Sequence, residues 1–110
     1  YSQAILVNET LYLSGQIAIN PFDGKFMTES IETETHQVMK NILALLDAAE
    51  MGIENLVKCS IFLDDMDNFA VVDSIYSSYF GKETFPARET VEVSKLPKGV
   101  RVEISGIAIK

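Results

Sequence analysis

Arg88, Thr90 and Glu103 are the residues of this chain whose types and spacing best suggest chemistry. If Ser94–Pro97 is a four-residue hairpin loop, the antiparallel register places Arg88 directly across from Glu103. Thr90 would share their face, because alternate residues of a strand point the same way. A guanidinium beside a carboxylate could bind an anion and take part in acid–base chemistry. Spacing alone favours an exposed cross-strand ion pair, which contributes under ~1 kcal/mol.

Other catalytic arrangements find little support. His36 is the only histidine, and its helix-face neighbours Glu32 and Lys40 do not complete a metal site, so no metal is expected. Nucleophilic catalysis by Cys59 would need His36 as its base. Because Cys59 lies in a predicted central strand, where small buried thiols are common, we expect it to be structural.

Gly15 is a mild indication of a site. It stands inside a predicted strand, between Ser14 and Gln16, whereas glycines that bind phosphate stand in loops that open a helix. Glycine weakens a strand and often marks a bulge, or a place where a ligand or another backbone comes close.

The charge balance disfavours nucleic-acid partners. The 110-residue chain carries nine Lys and Arg against sixteen Asp and Glu, a formal net charge of −7, whereas phosphate binding needs clustered cations. The basic residues are scattered apart from a loose group of Lys95, Lys98 and Arg101, which we interpret as a solvated turn.

Length and cysteine content predict one domain, residues 1–110, in a reducing, cytoplasmic location, because a single cysteine cannot form an intrachain disulfide. No apolar run approaches the ~20 residues of a membrane span and no secretory signal is visible, so no membrane partner is expected. Because the chain opens at Tyr1 in what resembles the start of a strand, we expect a few N-terminal residues to be missing.

Two helices must position these groups. Apolar residues at three- and four-residue spacing predict helices over residues 29–51 and 68–80. Gly52 and Gly81 are the expected helix ends, and Asp67 is the expected cap of the second helix. The first turns of the first helix carry acids, which the helix dipole favours: Glu29, Glu32 and Glu34.

Five strands complete the pattern, over residues 4–7, 11–19, 56–63, 87–93 and 100–109. The order ββαβαββ predicts an α+β domain with two helices on one face of a mixed sheet. Two helices can cover only one face, yet residues 100–109 are apolar on both. We therefore expect another copy of the chain to cover the second face.

Short motifs in the right order and spacing span nearly the whole chain and resemble those of the Rid family of enamine/imine deaminases, also called the YjgF family. They are Tyr1-Ser2-Gln3-Ala4, Ser14-Gly15-Gln16-Ile17, Val57-Lys58, Asp67-Asn68-Phe69, Phe85-Pro86-Ala87-Arg88, Val91-Glu92-Val93, Leu96-Pro97-Lys98-Gly99 and Val102-Glu103-Ile104.

The resemblance implies a chorismate-mutase-like homotrimer with three sites in clefts between subunits. It also implies hydrolysis of 2-aminoacrylate, 2-iminopropanoate or 2-iminobutanoate to a 2-keto acid and ammonia, without metal or organic cofactor. Arg88 would hold the substrate carboxylate and Glu103 would orient or deprotonate a water molecule. The other implied substrate-binding residues are Tyr1, Ser14, Gly15, Asp73 and Thr90.

Three positions depart from the family pattern. Thr90 stands where some members carry Cys, and Asp73 replaces an Asn that reaches the site in some members. Glu89 is unusual beside Arg88, although strand alternation should turn it away. Two other functions stay open: a non-catalytic module that binds a small carboxylate, and an endoribonuclease or translation inhibitor.

Overall fold

The computed structural model describes residues 1–82 and 84–110, and its elements follow the predicted order ββαβαββ. The elements are β1 (Ala4–Val7), β2 (Thr10–Gln16), α1 (Ile31–Ala48), β3 (Leu56–Leu63), α2 (Phe69–Ser78), β4 (Ala87–Glu92) and β5 (Val102–Ile109). The two helices and the mixed sheet confirm the α+β prediction.

The sheet order is β1-β2-β5-β3-β4, with β3 and β4 parallel and the other pairs antiparallel. The predicted hairpin between the last two strands is therefore wrong. Helix α2 connects β3 to β4, and this crossover places β4 parallel to β3. Strand β5 instead lies between β2 and β3, so Arg88 is paired with Cys59 and Glu103 with Phe62.

Both helices begin near the predicted residues but end earlier. Ser30 caps α1 by accepting a hydrogen bond from the Thr33 backbone N–H. The chain leaves α1 at Ala49, and Glu50 takes the positive φ of 59°, so Gly52 is not the cap. A short 3₁₀ turn precedes α2. The side chain that caps this turn is Asp65, so the cap predicted at Asp67 is wrong.

The core lies between the helices and one face of the sheet. Helix α1 buries Val38, Met39, Ile42 and Leu46, and α2 buries Val72 and Tyr76. The facing strand residues alternate with partly exposed ones, as expected for a sheet covered on one side. No helix in residues 1–82 and 84–110 has the length and apolar character to cross a membrane.

An ion pair with a buried carboxylate connects α1 to the start of β5. Glu34 is fully buried and accepts hydrogen bonds from the Arg101 backbone N–H (2.7 Å), from Arg101 Nε (2.8 Å) and from the Val102 N–H (3.2 Å). Arg101 also donates to the Thr28 carbonyl oxygen. The interpretation of Arg101 as part of a solvated basic turn is therefore wrong, because its charge is neutralised by a core carboxylate.

Neither α1 nor α2 lies over the second face of the sheet, called here the open face. Its apolar side chains alternate with the core residues of the same strands: Ile5, Val7, Tyr12, Phe62, Val91, Ile107 and Ile109. Five of them (Ile5, Val7, Tyr12, Val91 and Ile109) expose 40–50% of their surface. An apolar patch of this kind marks an interaction surface.

Candidate functional site

Arg88 lies on the helix-facing side of β4, beside α2. Its guanidinium carbon lies 5.7 Å from the centroid of the Phe69 ring and 5.5 Å from that of Tyr76. A cation over aromatic rings at this distance is attracted by their quadrupoles. Arg88 Nη1 also donates to Asp73 Oδ1, so Arg88 forms an ion pair with a third residue of α2. Helix α2 therefore supplies both an aromatic platform and an anion to Arg88.

A cavity of about 350 Å³ opens at this guanidinium. We call it the arginine cleft, and its lining residues are Asp73, Tyr76, Ser77, Phe85, Pro86 and Arg88. The Phe85 ring packs 5.7 Å from that of Phe80, which holds one wall of the cleft against the end of α2. The volume suits a small molecule, and three of the six lining residues, Phe85, Pro86 and Arg88, belong to the Phe85-Pro86-Ala87-Arg88 motif.

Two buried hydroxyl groups lie on the same side of the sheet. Thr90 shares the Arg88 face, as predicted, and its Oγ1 has no hydrogen-bond partner among residues 1–82 and 84–110. The Tyr76 hydroxyl is likewise buried with no hydrogen-bond partner in that part of the chain. Burial raises the pKa of Tyr76 and of Cys59. Cys59 is thus a buried, protonated thiol, and the structural role predicted for it is retained.

Glu103 lies on the opposite face of the sheet. It projects from β5 over Gly15 of β2, where the register shifts between Leu13 and Gln16. A Cβ atom on Gly15 would lie 2.5 Å from Glu103 Oε2. The bulge predicted at Gly15 is confirmed, whereas the group that lies close to it is a side-chain carboxylate and neither a ligand nor another backbone. Partial burial raises the pKa of Glu103, which suits a group that exchanges a proton with water.

A second cavity, of about 310 Å³, lies beside Gly15. It is lined by Tyr1, Gln3, Gly15, Gln16, Ile17, Ile19, Pro21, Asn41, Ala44 and Leu45. The Ser14 hydroxyl donates to the Ser2 carbonyl oxygen at 2.6 Å, and the backbone N–H of Ser14 donates to the Gln3 carbonyl oxygen. Tyr1 and Gly15 thus line one cavity together with residues of α1, and Ser14 is hydrogen-bonded to the neighbouring backbone without lining it.

The predicted site residues therefore form two groups in one chain. Arg88, Asp73 and Thr90 lie on the helix side of β4, while Glu103 lies with Gly15 on the β2–β5 side. Strand β3 lies between β4 and β5, so two strand spacings, about 10 Å, separate the strand of Arg88 from that of Glu103. The prediction that Arg88 faces Glu103 across adjacent strands is wrong for a single chain.

Glu89 points away from Arg88, as strand alternation predicts. Its carboxylate lies 3.0 Å from Lys58 Nζ and accepts a hydrogen bond from the Ser60 hydroxyl. These contacts, the Ser60 bond foremost, lower the pKa of Glu89. Glu89 therefore lies on the open face, and Arg88 forms its ion pair with Asp73 instead.

The aromatic platform under Arg88 is the part of the site that the sequence analysis missed. Phe69 and Tyr76 lie within the helix predicted over residues 68–80, where apolar spacing indicates only packing against the core. They are seven residues apart and share one helix face with Asp73, which lies four residues after Phe69. An aromatic–acid–aromatic face followed by an arginine-bearing strand is the signal that could have indicated it.

No group of three or more metal-ligating side chains is gathered in the described ranges 1–82 and 84–110. His36 lies on the exposed side of α1, where its Nδ1 is 2.7 Å from the Tyr79 hydroxyl.

Comparison with known proteins gives one consistent result. The model of the family described as Endoribonuclease L-PSP matches residues 1–110. The human 2-iminobutanoate/2-iminopropanoate deaminase is 43% identical over 110 residues, which cover all of this chain and 80% of the human protein. A putative regulator, AldR of Lactococcus lactis, is 47% identical over 98% of this chain and 85% of its own length.

Solved structures agree. The crystal structure of YyfA of Yersinia pestis, described as a protein of the conserved Rid family, superposes with a TM-score of 0.96 and 50% identity. The superposition covers all of this chain and 87% of that one.

Proposed function

The chain belongs to the Endoribonuclease L-PSP family, also called the Rid or YjgF family, and from this premise we propose that it is a hydrolase of short 2-imino acids. The substrates would be 2-aminoacrylate, 2-iminopropanoate or 2-iminobutanoate, and the products a 2-keto acid and ammonium. The deaminase name of the human relative supports this assignment. The observation that carries it is Arg88, a cation held on aromatic rings at the mouth of a small cleft.

Arg88 would bind the substrate carboxylate. The planar guanidinium presents donors in a fork that matches a carboxylate, and each charge-assisted hydrogen bond is worth about 1.5–3 kcal/mol. The backbone N–H of Thr90 and the wall residues Phe85 and Pro86 would complete the pocket around a molecule of a few carbon atoms.

The rest of the site would come from a second subunit. In one chain Glu103 and Gly15 lie on the opposite face of the sheet from Arg88. A homotrimer that buries the open face could bring the Glu103, Ser14 and Tyr1 region of one subunit against the arginine cleft of the next. The exposed apolar side chains of the open face support such an association.

Within that cleft the reaction needs one water molecule and one proton carrier. The reacting form is the iminium tautomer of the substrate. The Glu103 carboxylate accepts a proton from water as the oxygen bonds to the imine carbon and the C=N electron pair moves to nitrogen. The protonated Glu103 then returns the proton to the amine nitrogen, and the C–N bond breaks. The hydroxyl proton leaves with ammonia as ammonium, so iminium and water yield ketone and ammonium. Holding water and imine together supplies much of the acceleration.

The test is release of keto acid and ammonia from an imine generated in situ. We expect Arg88→Ala to lower the rate by about a hundredfold or more, because two charge-assisted hydrogen bonds are lost. Arg88→Lys keeps the charge but not the fork and should recover little of the rate. Lys40→Ala, an exposed cation on α1, is the control and should keep the parent rate. Equal rates for Arg88→Ala and the parent would refute the mechanism.

A second candidate is a sensor of small carboxylates without turnover, which the putative regulator of Lactococcus lactis favours. Glu103→Ala discriminates between the two. A binding module should keep its affinity for 2-oxobutanoate, whereas an enzyme should lose rate.

The family description also names an endoribonuclease. The net charge of −7 disfavours contact with a polyanion. RNA cleavage that persists through purification and disappears in Arg88→Ala would support that activity instead.

A further inference from the structure

The ion pair between Asp73 and Arg88 bears on which form of the substrate enters the arginine cleft. We propose that Asp73 selects the zwitterion, a 2-imino acid protonated on nitrogen, and disfavours the keto-acid product. This inference rests on the proposed function and specifies its substrate class. Its basis is a cation and an anion that line one cleft side by side.

The position of Asp73 is set by the helix that carries it. Phe69, Asp73 and Tyr76 share one face of α2, and the two aromatic rings lie under the guanidinium. The same helix face therefore holds Arg88 in place and sets a carboxylate beside it. Both side chains remain partly accessible, with 27% of Arg88 and 37% of Asp73 exposed, so a ligand can reach each of them.

The charges of the cleft match a ligand with two opposite charges. A simple monoanion that approaches Arg88 also approaches the Asp73 carboxylate, and like charges repel. In a protonated 2-imino acid the cationic nitrogen is bonded to the carbon that bears the carboxylate. Its carboxylate can face Arg88 while its N–H groups face Asp73, so both charges of the ligand meet an opposite charge.

Arg88 can hold Asp73 and a ligand together. Asp73 Oδ1 engages Nη1, and a guanidinium has five N–H donors spread along its fork. A ligand carboxylate can therefore bind along another edge of the fork without displacing Asp73. The pair then acts as a two-point receptor for the zwitterion.

The reaction changes the charge of the ligand that Arg88 and Asp73 bind. Hydrolysis removes the cationic nitrogen as ammonium and leaves a keto acid with a single negative charge. The product has lost its partner for Asp73 but still meets the repulsion from that carboxylate. Asp73 should therefore favour substrate binding and product release in the same site.

The experiment compares two unreactive probes of similar shape, L-2-aminobutanoate as the zwitterion and 2-oxobutanoate as the monoanion. Dissociation constants are measured by calorimetry for the parent, Asp73→Asn and Asp73→Ser. The control is Asp47→Asn, which removes the same charge from an exposed position near the end of α1. Thermal unfolding of each variant verifies that it is folded.

We expect the parent to prefer the amino acid, and Asp73→Asn to shift the ratio of the two dissociation constants toward the keto acid by tenfold or more. Asp73→Ser should shift it in the same direction, and Asp47→Asn should leave it unchanged. In the turnover assay, 2-oxobutanoate should inhibit Asp73→Asn at lower concentrations than it inhibits the parent.

Two results would overturn the inference in distinguishable ways. If the parent hydrolyses imines but folded Asp73→Asn and Asp73→Ser keep the parent ratio, Asp73 does not select the zwitterion and the proposed function stands. If the parent neither hydrolyses imines nor binds either probe, the proposed function fails and the inference fails with it.

Discussion

Gly15 offers a direct test of Glu103 as the group that activates water, through the substitution Gly15→Ala. The added Cβ would lie 2.5 Å from Glu103 Oε2, 2.6 Å from Cδ and 2.9 Å from Cγ, whereas ordinary contact begins at 3.4 Å. The carboxylate must therefore retreat by about 1 Å, and a misplacement of about 1 Å can lower a rate on the order of a hundredfold.

Stability should change little, which separates this prediction from simple unfolding. The crowded atoms belong to the far end of a flexible side chain. Replacing Gly by Ala in an accessible conformation also restricts the unfolded chain, which stabilises by about 0.4–1 kcal/mol. We expect the free energy of unfolding to stay within about 1 kcal/mol of the parent. The matched control is Gly81→Ala, whose Cβ would lie 3.7 Å from Thr84 Oγ1, an ordinary contact.

The assay is kcat/KM for imine hydrolysis, followed as keto-acid release, with urea unfolding of each variant. A double-mutant cycle adds Glu103→Asp, which shortens the side chain by one methylene and withdraws the carboxylate from the new methyl group. The combined loss in rate should then be smaller than the product of the single losses. A folded Gly15→Ala protein with the parent kcat/KM would refute the role of Glu103. Losses that simply multiply would show that the methyl group obstructs the substrate instead.

Three further predictions concern pH, the core and assembly. Burial raises the pKa of Glu103, so the stability that this group contributes is present below its usual pKa of 4.5 and is lost as pH rises through the folded pKa. Glu103→Gln should therefore raise Tm at pH 7 and leave Tm nearly unchanged at pH 4, as measured by calorimetry. Glu34→Ala leaves the three donors of Arg101 and Val102 without their acceptor. It should lower the free energy of unfolding in urea by about 3 kcal/mol, the low end for a broken buried pair, because Arg101 is 35% exposed. The control Glu32→Ala, at an exposed position, should change the free energy of unfolding very little. Ile107→Lys places a charge on the open face and should convert the proposed trimer into monomers in light scattering; an unchanged mass would contradict burial of that face.

The elements themselves were predictable because each carries a local signal. Apolar spacing identified both helices, and the runs of β-branched residues identified the five strands within two residues or so at most ends, with β2 the exception at Gln16 rather than residue 19. Helix ends were less predictable: Glu50 rather than Gly52 takes the left-handed conformation after α1. A polar residue can adopt that conformation at modest cost, so the sequence pattern left the choice open.

The sequence by itself determined the element order, the apolar character of both sheet faces and the motif that carries Arg88. These features depend on residue type and on neighbours a few positions away. Only the tertiary structure decided which strands pair. The crossover through α2 placed β4 beside β3 and separated Arg88 from Glu103, and it set Arg88 on the aromatic and acidic face of α2. Strand pairing is settled by contacts between residues far apart in the chain, which no local pattern specifies. For the same reason, the contact between Arg88 and Asp73 could be seen only in the tertiary structure.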